Sequence, residues 1–193
     1  MKHRKIPEHA KKVFAGEIFD VFQWEQVLFD DSKAIFESLK RSETVTVIPV
    51  TEDGKIMLIE EEQPHIPLHL KNVAGKVDPG EKPEETARRE LLEETGYECE
   101  DLKLWYMENP IYKIDWTVYT FVARGCRKVA DQNLEGGERI TPVLLSFEEF
   151  VEKVCKEDFP NLALKVKILE AKLDSEKMSD LKNLLLNNRN LPL

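Results

Sequence analysis

The sequence predicts a mixed α+β domain, and three observations favour this class. Segments with strand-like patterns fill much of the first 60 residues and recur between residues 102 and 145. One strongly charged helical segment, residues 83–95, interrupts them, and amphipathic helical segments follow at the end of the chain. Strands that surround a single helix and then give way to helices suit a mixed α+β domain better than a βαβ array.

The first part of the chain predicts two pairs of strands. Residues 13–41 alternate aromatic and polar side chains on both sides of an Asp-Asp-Ser sequence, which indicates a strand, a turn and a strand. Residues 44–50 and 55–60 are predicted to form a hairpin, because the Asp-Gly pair between them favours a tight two-residue turn. Residues 62–71 contain two prolines, and we expect them to form an irregular loop.

Capping residues and periodicity predict the later elements. The charged helix at residues 83–95 is expected to end at Gly96, a residue typical of the position after a helix. Ser146 begins a capping box, which predicts a helix that continues to about Lys156. The other predicted elements are strands at residues 102–107, 116–123 and 143–145 and helices at residues 161–173 and 175–188.

The composition of the chain narrows the classes of function. Its 193 residues are 41% hydrophobic, which is enough to build one core and argues against a disordered protein. The 28 basic and 37 acidic residues give a net charge of -9, which argues against a broad nucleic-acid-binding face. A small anionic substrate is compatible with this charge, because a bound divalent cation reverses the local field. We therefore expect a small-molecule partner and no nucleic acid.

The cysteines and the N-terminus indicate a cytoplasmic protein. The three cysteines are far apart in the sequence and odd in number, so they suggest neither a disulfide framework nor a zinc motif. No apolar run follows the basic residues at the N-terminus, and no stretch is long enough to cross a bilayer. We therefore expect a cytoplasmic location and no membrane partner.

Three carboxylates on the charged helix indicate a possible metal site. Glu90, Glu93 and Glu94 fall within an arc of roughly 100° on one helical face. Like charges at this spacing destabilise an isolated helix by roughly a few tenths of a kcal/mol per pair, and the helix dipole disfavours anions near the C-terminal end. An acidic helix is most often a solvated face with compensating pairs, such as Glu85 with Arg89. A hard divalent cation is the functional alternative, because Mg²⁺ accepts oxygen ligands from paired carboxylates.

The spacing around these carboxylates resembles the Nudix box. That motif is a glycine, five residues, Glu, seven residues, and then Arg-Glu-apolar-any-Glu-Glu-any-Gly-apolar. Nine specified positions over 23 residues are all met, which makes the resemblance specific. The matching residues are Gly75, Glu81, Arg89, Glu90, Leu91, Glu93, Glu94, Gly96 and Tyr97.

The resemblance to Nudix hydrolases implies a fold, a cofactor and a set of roles. The fold would be an α/β/α sandwich around a mixed β-sheet. Glu90 and Glu94 would hold Mg²⁺ or Mn²⁺, and Glu93 would join them or help to handle the attacking water. Arg89 would orient the carboxylates, and Glu81 would support the preceding loop or reach a metal through water. The residues with structural roles would be Gly75, Glu81, Leu91, Gly96 and Tyr97.

The wider layout resembles the ADP-ribose pyrophosphatase branch of that family, which cleaves nucleoside diphosphate sugars to a nucleoside monophosphate and a sugar phosphate. This resemblance divides the chain into an N-terminal strand region at residues 1–42 and a hydrolase domain with C-terminal helices at residues 43–193. It implies that the strand region joins two chains in a homodimer. It also implies that the carbonyl of Ala74 coordinates metal. An acidic loop residue, Glu138 or its competitor Glu135, would act as a base or a metal ligand.

Departures from that branch leave the substrate open. The branch carries an arginine after the core hairpin that can grip phosphates, whereas residues 60–63 contain none. Lys71, Asn72 and Val73 replace the acidic and proline residues expected before Ala74. The alternatives are therefore hydrolysis of nucleoside triphosphates or dinucleoside polyphosphates, and a non-catalytic module that senses a nucleotide. The candidate substrate contacts are Arg41, Lys76, Tyr112 and Lys113.

Overall fold

A computed structural model describes residues 6–186 of the chain, which contain four helices and twelve strands. The helices are α1 (Pro83–Thr95), α2 (Phe147–Val154), α3 (Leu162–Lys172) and α4 (Ser175–Leu186). The strands are β1 (Lys11–Ala15), β2 (Asp20–Val27), β3 (Lys33–Lys40), β4 (Thr44–Thr51), β5 (Ile56–Gln63), β6 (Ile66–Lys71), β7 (Val73–Lys76), β8 (Tyr97–Glu98), β9 (Asp101–Glu108), β10 (Ile114–Asp115), β11 (Val118–Lys128) and β12 (Arg139–Leu145). The predicted end of the last helix, residues 187–188, lies outside the described residues.

The N-terminal strands form a four-stranded sheet with β10. The order is β1-β2-β3-β10, and pairing is antiparallel except between β3 and β10, which run parallel. The predicted strand, turn and strand are confirmed by β2 and β3. Asp31 takes a left-handed φ of 63° in the turn, and the Asp30 carboxylate accepts a hydrogen bond from the Ser32 hydroxyl. The structure adds β1 along one edge of this sheet.

A mixed eight-stranded sheet lies at the centre of the molecule, as the sequence predicts. The principal strand order is β12-β5-β4-β11-β8, and β6 pairs with β5, β7 with β4 and β9 with β11. The neighbours β4 and β11 are parallel, whereas the other pairs in this sheet are antiparallel. Because β7 lies next to β4, the loop that follows β7 delivers α1 directly onto the sheet.

Alternating side chains of the central strands build two cores on opposite faces of this sheet. In β4, Val45 and Val47 pack towards α1, whereas Ile48 and Val50 pack towards α2, α3 and α4. The same alternation places Phe121 of β11 on the α1 face, because successive strand residues point to opposite sides. The helices therefore enclose the sheet from both sides, and the expected α/β/α sandwich is confirmed.

The predicted two-residue turn between β4 and β5 is wrong. Thr51 donates its N–H to the carbonyl of Lys55 at 2.9 Å, so three residues lie between the paired positions. The last of them, Gly54, has a φ of 79°, which is the left-handed conformation that closes a three-residue hairpin loop. The Asp-Gly pair therefore marks the turn correctly but does not fix its length.

The predicted irregular loop at residues 62–71 is also wrong. β5 continues to Gln63, and after a short turn β6 runs back along it through Lys71. Among the described strands β6 pairs only with β5, so Pro67, which has no N–H, lies in an edge strand where proline is tolerated. The pairing places Glu61 of β5 opposite His69 of β6.

The predicted helices after the sheet are confirmed, with ends that differ by one or two residues. α2 begins after Ser146, whose hydroxyl accepts the N–H of Glu149 at 3.2 Å. Arg124 of β11 is buried and donates from Nε to the carbonyl of Leu184 at 2.9 Å, which ties the last turn of α4 to the sheet. Within residues 6–186, no helix is both long enough and apolar enough to cross a membrane.

Candidate active site

The charged helix α1 docks on the central sheet through a small apolar face. Ala87 and Leu91 are fully buried against the core that contains Val45 and Phe121. Pro83 stands at the first turn, where a missing N–H costs nothing, and Gly96 follows the last turn with a φ of 77°. The helix thus has the bounds that the sequence predicts, and its acidic face is turned towards the edge of the sheet.

The acidic C-terminal end of α1 is stabilised by a segment that sequence reasoning did not identify. The backbone N–H of Asn133 donates to the carbonyl of Glu93 at 2.9 Å. The side-chain amide of Gln132 donates to the carbonyl of Glu94 and, at 3.0 Å, to that of Ile140. These bonds satisfy carbonyls that the end of a helix leaves without partners. They therefore help α1 to carry two glutamates in its last turn, where the helix dipole disfavours negative charge.

Gly75 of β7 lies in direct contact with Glu90. A Cβ atom at position 75 would stand 1.9 Å from both the Cδ and one carboxylate oxygen of Glu90. Such a distance is far inside van der Waals contact, so any side chain at position 75 would push Glu90 away. The first glycine of the predicted motif is therefore required because the Glu90 carboxylate occupies the space of its missing side chain.

Arg89 joins three carboxylates into one network. Its Nη1 donates to Glu90 at 2.8 Å and to Glu93 at 3.0 Å. Its Nε and Nη2 each donate to one oxygen of Glu81 at 3.1 Å, which is the bidentate geometry that arginine forms with carboxylates. Hydrogen bonds from Arg89 lower the pKa of Glu81 to about 2. The structure thus brings Arg89 to the carboxylates it is predicted to orient.

Glu90 and Glu94 are the carboxylates that burial affects most. Glu94 is only 4% exposed and accepts the backbone N–H of Ala74 at 3.2 Å. Desolvation raises its pKa to about 8 and that of Glu90 to about 7, although Lys71 and Arg89 oppose these shifts. Burial therefore favours the protonated forms of both groups unless further positive charge is supplied, which is the condition expected of carboxylates that bind a cation.

The predicted loop acid lies near this pair. Glu138 is half-buried, burial raises its pKa, and its charge in turn raises the pKa of Glu90. Its N–H donates to the carbonyl of Glu135 at 3.0 Å, which makes the intervening residues a tight turn. Glu135 itself is exposed. The charge of Glu138 therefore acts on a carboxylate of α1, whereas Glu135 is exposed to solvent.

A further carboxylate, Glu61, and its partner Lys71 belong to the same cluster but were missed by sequence reasoning. Glu61 is 3% exposed, and its Oε1 accepts a hydrogen bond from the Lys71 Nζ at 2.8 Å. The same Nζ lies 3.8 Å from the Oε1 of Glu94. A period of two along β5 could have shown that Glu61 shares the inward face of the buried Ile59.

A cavity of about 870 Å³ adjoins the carboxylates. Its walls include Ala74 and Gly75, the residues that contact Glu94 and Glu90 from β7. Of the candidate substrate contacts, Arg41 and Lys76 line this cavity, whereas Tyr112 and Lys113 are not part of its lining. A volume of this size accommodates a nucleotide-sized ligand.

Arg41 is held against aromatic rings at the cavity wall. Its guanidinium carbon lies 4.3 Å from the ring centre of Trp116 and 5.6 Å from that of Phe19. Its Nε is buried and has no hydrogen-bond partner among residues 6–186. Deeper in the cavity, the buried amide of Asn72 accepts a hydrogen bond from Asn161 at 3.2 Å. Sequence reasoning did not assign Asn72 or Asn161 to the site.

Comparison with known proteins decides the family. The model of the NUDIX domain matches residues 40–164, which is more than half of the chain. The chain belongs to the NUDIX domain family. This match includes the whole of α1, the carboxylates that surround it and the strands on which it packs.

Relatives and solved structures agree with the Nudix assignment. The methanol dehydrogenase activator of Bacillus methanolicus is 27% identical over 149 residues, which cover 75% of this chain and 80% of that protein. The ADP-ribose pyrophosphatase of Bacillus subtilis (strain 168) is 33% identical over 93 residues, which cover 48% of this chain and half of that protein. A crystal structure of an ADP compounds hydrolase superposes with a TM-score of 0.69 over 89% of this chain and 94% of its own, at 22% identity. This last match shows the Nudix fold.

The Nudix carboxylates suit a hard divalent cation in their chemistry. Carboxylate oxygens are the ligands that such a cation prefers, and Glu90 and Glu94 carry raised pKa values because they are desolvated. Across residues 6–186, no three acidic, histidine or cysteine side chains are arranged as a ready metal cage. Arg89 and Lys71 each hold carboxylate oxygens of the cluster in hydrogen bonds.

Replacement of Gly75 by Ala tests the contact that positions Glu90. The added methyl group would overlap the Glu90 carboxylate, so we expect Mn²⁺ affinity to fall by at least about tenfold, the size of effect seen when support of a metal ligand is lost. Gly136→Ala is the matched control, because its added Cβ would meet nothing within 4 Å. Titration of each folded variant with Mn²⁺ checks the prediction. Wild-type affinity in the Gly75 variant would contradict it.

Proposed function

We propose that this chain is a divalent-metal-dependent hydrolase that cleaves the phosphoanhydride bond of ADP-ribose or a related nucleoside diphosphate sugar. The products are a nucleoside monophosphate and a sugar phosphate. The observation that carries this proposal is the joint position of Ala74 and Gly75, which line the nucleotide-sized cavity and contact the buried Glu94 and the half-buried Glu90. Further support comes from the ADP-ribose pyrophosphatase and the ADP compounds hydrolase that resemble this chain.

Glu90 and Glu94 are the residues that would hold the metal, with Glu93 beside them. The carbonyl of Ala74 joins this set in the proposal, because its N–H already points to Glu94 and both groups of a strand residue face the same edge. When bound, Mg²⁺ or Mn²⁺ supplies neutralisation of the diphosphate and a lower pKa for the attacking water.

The remaining side chains of the cluster orient groups and move protons. Arg89 fixes the carboxylates of Glu90 and Glu93, so that their lone pairs keep one arrangement during the reaction. Glu138 accepts a proton from the attacking water, since its raised pKa brings it nearer to neutrality than an ordinary carboxylate. It lies in a loop after Gly136 and Gly137, which permits small movements towards the substrate.

Arg41 and Lys76 are the proposed contacts of the substrate phosphates. The side chain of Arg41 is half-buried, its stacking on Trp116 restricts its orientation, and its buried Nε can still donate. Lys76 follows Gly75 along β7 and lines the same cavity. Related enzymes carry an arginine at the position of residues 60–63, where this chain has none. In the proposal, Arg41 and Lys76 supply that positive charge instead. Tyr112 and Lys113 are not retained as substrate contacts, because they are outside the cavity lining.

The substrate class is tested by hydrolysis with purified protein and Mg²⁺ or Mn²⁺. We expect ADP-ribose to yield AMP and ribose 5-phosphate, and Glu94→Gln to lower kcat by at least about 100-fold, because loss of a ligand charge forfeits several kcal/mol of transition-state stabilisation. Glu84→Gln is the matched control, since Glu84 is exposed on the first turn of the same helix.

Three results would contradict the proposed function. Cleavage of ATP or a dinucleoside polyphosphate in preference to every nucleoside diphosphate sugar would show that the substrate class is wrong. Undiminished hydrolysis by Glu94→Gln would place the reaction at another site. Tight nucleotide binding without turnover of any compound would indicate a sensing module. The presence of each carboxylate of the motif argues against that outcome.

We also propose that the N-terminal strand region, residues 1–42, joins two chains in a homodimer. Its described part exposes apolar side chains, and β1 forms an edge of its sheet. The exposed residues are Val13, Phe14, Ile18, Val27, Phe29 and Ile35.

Sedimentation measures the proposed assembly. Wild-type protein should show twice the 22.4 kDa chain mass, and a Val13→Lys, Phe14→Lys variant should shift towards the monomer because buried charge opposes association. Leu173→Lys should keep the dimer, because Leu173 is more exposed than Val13 or Phe14 but lies after α3, outside the sheet. A monomeric mass for the wild-type protein would refute the proposal.

A further inference from the structure

Lys71 stands inside the carboxylate cluster rather than at its surface. It lies at the end of β6, and its side chain is 19% exposed. Its Nζ approaches Glu61 at 2.8 Å and Glu94 at 3.8 Å, and these two carboxylates are almost completely buried. A single ammonium group is therefore shared by two acids that reach the site from different elements, β5 and α1.

The surroundings of Lys71 explain why a cation is held there. Buried carboxylates that lack a compensating charge are strongly destabilised. The charge of Glu61 raises the pKa of both Glu94 and Glu138, and the charge of Lys71 opposes both shifts. His69 is the other basic group near Glu61, with its Nε2 3.8 Å from the second carboxylate oxygen.

The cluster has a second internal cation on its opposite side. Arg89 pairs with Glu81, Glu90 and Glu93, whereas Lys71 pairs with Glu61 and approaches Glu94. An arginine holds carboxylates through a planar fork, but a lysine ammonium is a compact point charge with three donors. Its size and charge density make Lys71 the closer substitute for a small hydrated cation.

We propose that Lys71 is a built-in counter-ion that occupies one cation position of the carboxylate cluster and thereby limits the divalent ions that the site accepts. This inference rests on the proposed function, since it concerns the same metal site. Lys71 keeps Glu61 engaged, so Glu61 is not available as an oxygen ligand beside Glu94. Without the ammonium group, the two carboxylates would face one another and attract a divalent ion in its place.

Mn²⁺ titration followed by electron paramagnetic resonance tests this inference, because the signal reports free Mn²⁺ and needs no turnover. Lys71→Met should bind at least one additional Mn²⁺ per chain, or the same number at least about tenfold more tightly, since it removes a positive charge beside a ligand carboxylate. Lys71→Arg should retain the wild-type stoichiometry and affinity, because it keeps the charge.

Lys33→Met is the control for a general change in charge. Lys33 forms a pair with Glu25 at the same 2.8 Å distance, but both partners are more than half exposed and lie in the N-terminal sheet. This variant changes the net charge of the chain equally and should bind Mn²⁺ as the wild type does. A folded Lys71→Met variant with wild-type stoichiometry and affinity would overturn the inference and leave Lys71 as a structural ion pair.

A double variant keeps the test valid if Lys71→Met does not fold. Lys71→Met with Glu61→Gln removes both members of the buried pair and leaves no uncompensated charge from it. Compared with Glu61→Gln alone, it should bind the same number of Mn²⁺ ions at least about fivefold more tightly, because these two variants differ only in the positive charge near Glu94. Unchanged or weaker binding in the double variant would count against the inference.

Glu94→Gln separates this inference from the proposed function. Loss of Mn²⁺ binding in Glu94→Gln, together with wild-type binding in the Lys71 variants, would overturn the role of Lys71 alone. Wild-type Mn²⁺ binding in Glu94→Gln would overturn both, because the metal would then lie outside the carboxylate cluster. Loss in Glu94→Gln combined with gain in Lys71→Met supports both.

Discussion

The close contact between α1 and β7 is the constraint on which the rest of the site depends. Glu90 occupies the space beside Gly75 where a side chain would otherwise stand, and Glu94 accepts the N–H of Ala74. Both contacts require α1 to lie flat on the sheet, which the fully buried Ala87 and Leu91 allow. The packing of a few apolar atoms thus buries two carboxylates, and burial gives them their altered pKa values.

Burial of acidic groups creates an electrostatic problem that the fold answers with fixed cations. Arg89 satisfies three carboxylates from within the helix and the loop before it, and Lys71 enters from a different strand to reach Glu61. These pairs do not offset the desolvation of Glu90 and Glu94, whose pKa values stay raised. The site therefore retains an attraction for further positive charge next to a cavity that can hold a nucleotide.

The sequence is sufficient to predict features that depend on local spacing. Pro83, Gly96 and the periodic apolar residues define α1, and the motif places its carboxylates on one face. Glu61 and Lys71 could not be predicted in the same way, because they meet only through the pairing of β5 with β6. In the sequence, Pro64 and Pro67 indicate a loop. In the structure, Pro64 lies in the turn between β5 and β6, and Pro67 lies in the edge strand β6.

Predictions about the cavity depend even more on long-range packing. Arg41 and Trp116 are 75 positions apart in sequence, yet they stack because β3 pairs with β10 and brings the following segments together. Asn72, which precedes β7, and Asn161, which precedes α3, likewise form a hydrogen bond at the cavity wall. No local pattern distinguishes such residues from ordinary surface side chains, so only the folded chain shows which of them reach the substrate cavity.

We propose that the face between α1 and β7 is the metal site of this Nudix hydrolase. A crystal structure of the protein with Mn²⁺, recorded for anomalous scattering, would locate the metal. We expect an anomalous peak next to carboxylate oxygens of Glu90 and Glu94, with the Lys71 ammonium still paired with Glu61. Mn²⁺ bound elsewhere, with these two carboxylates bearing no metal, would refute this metal site.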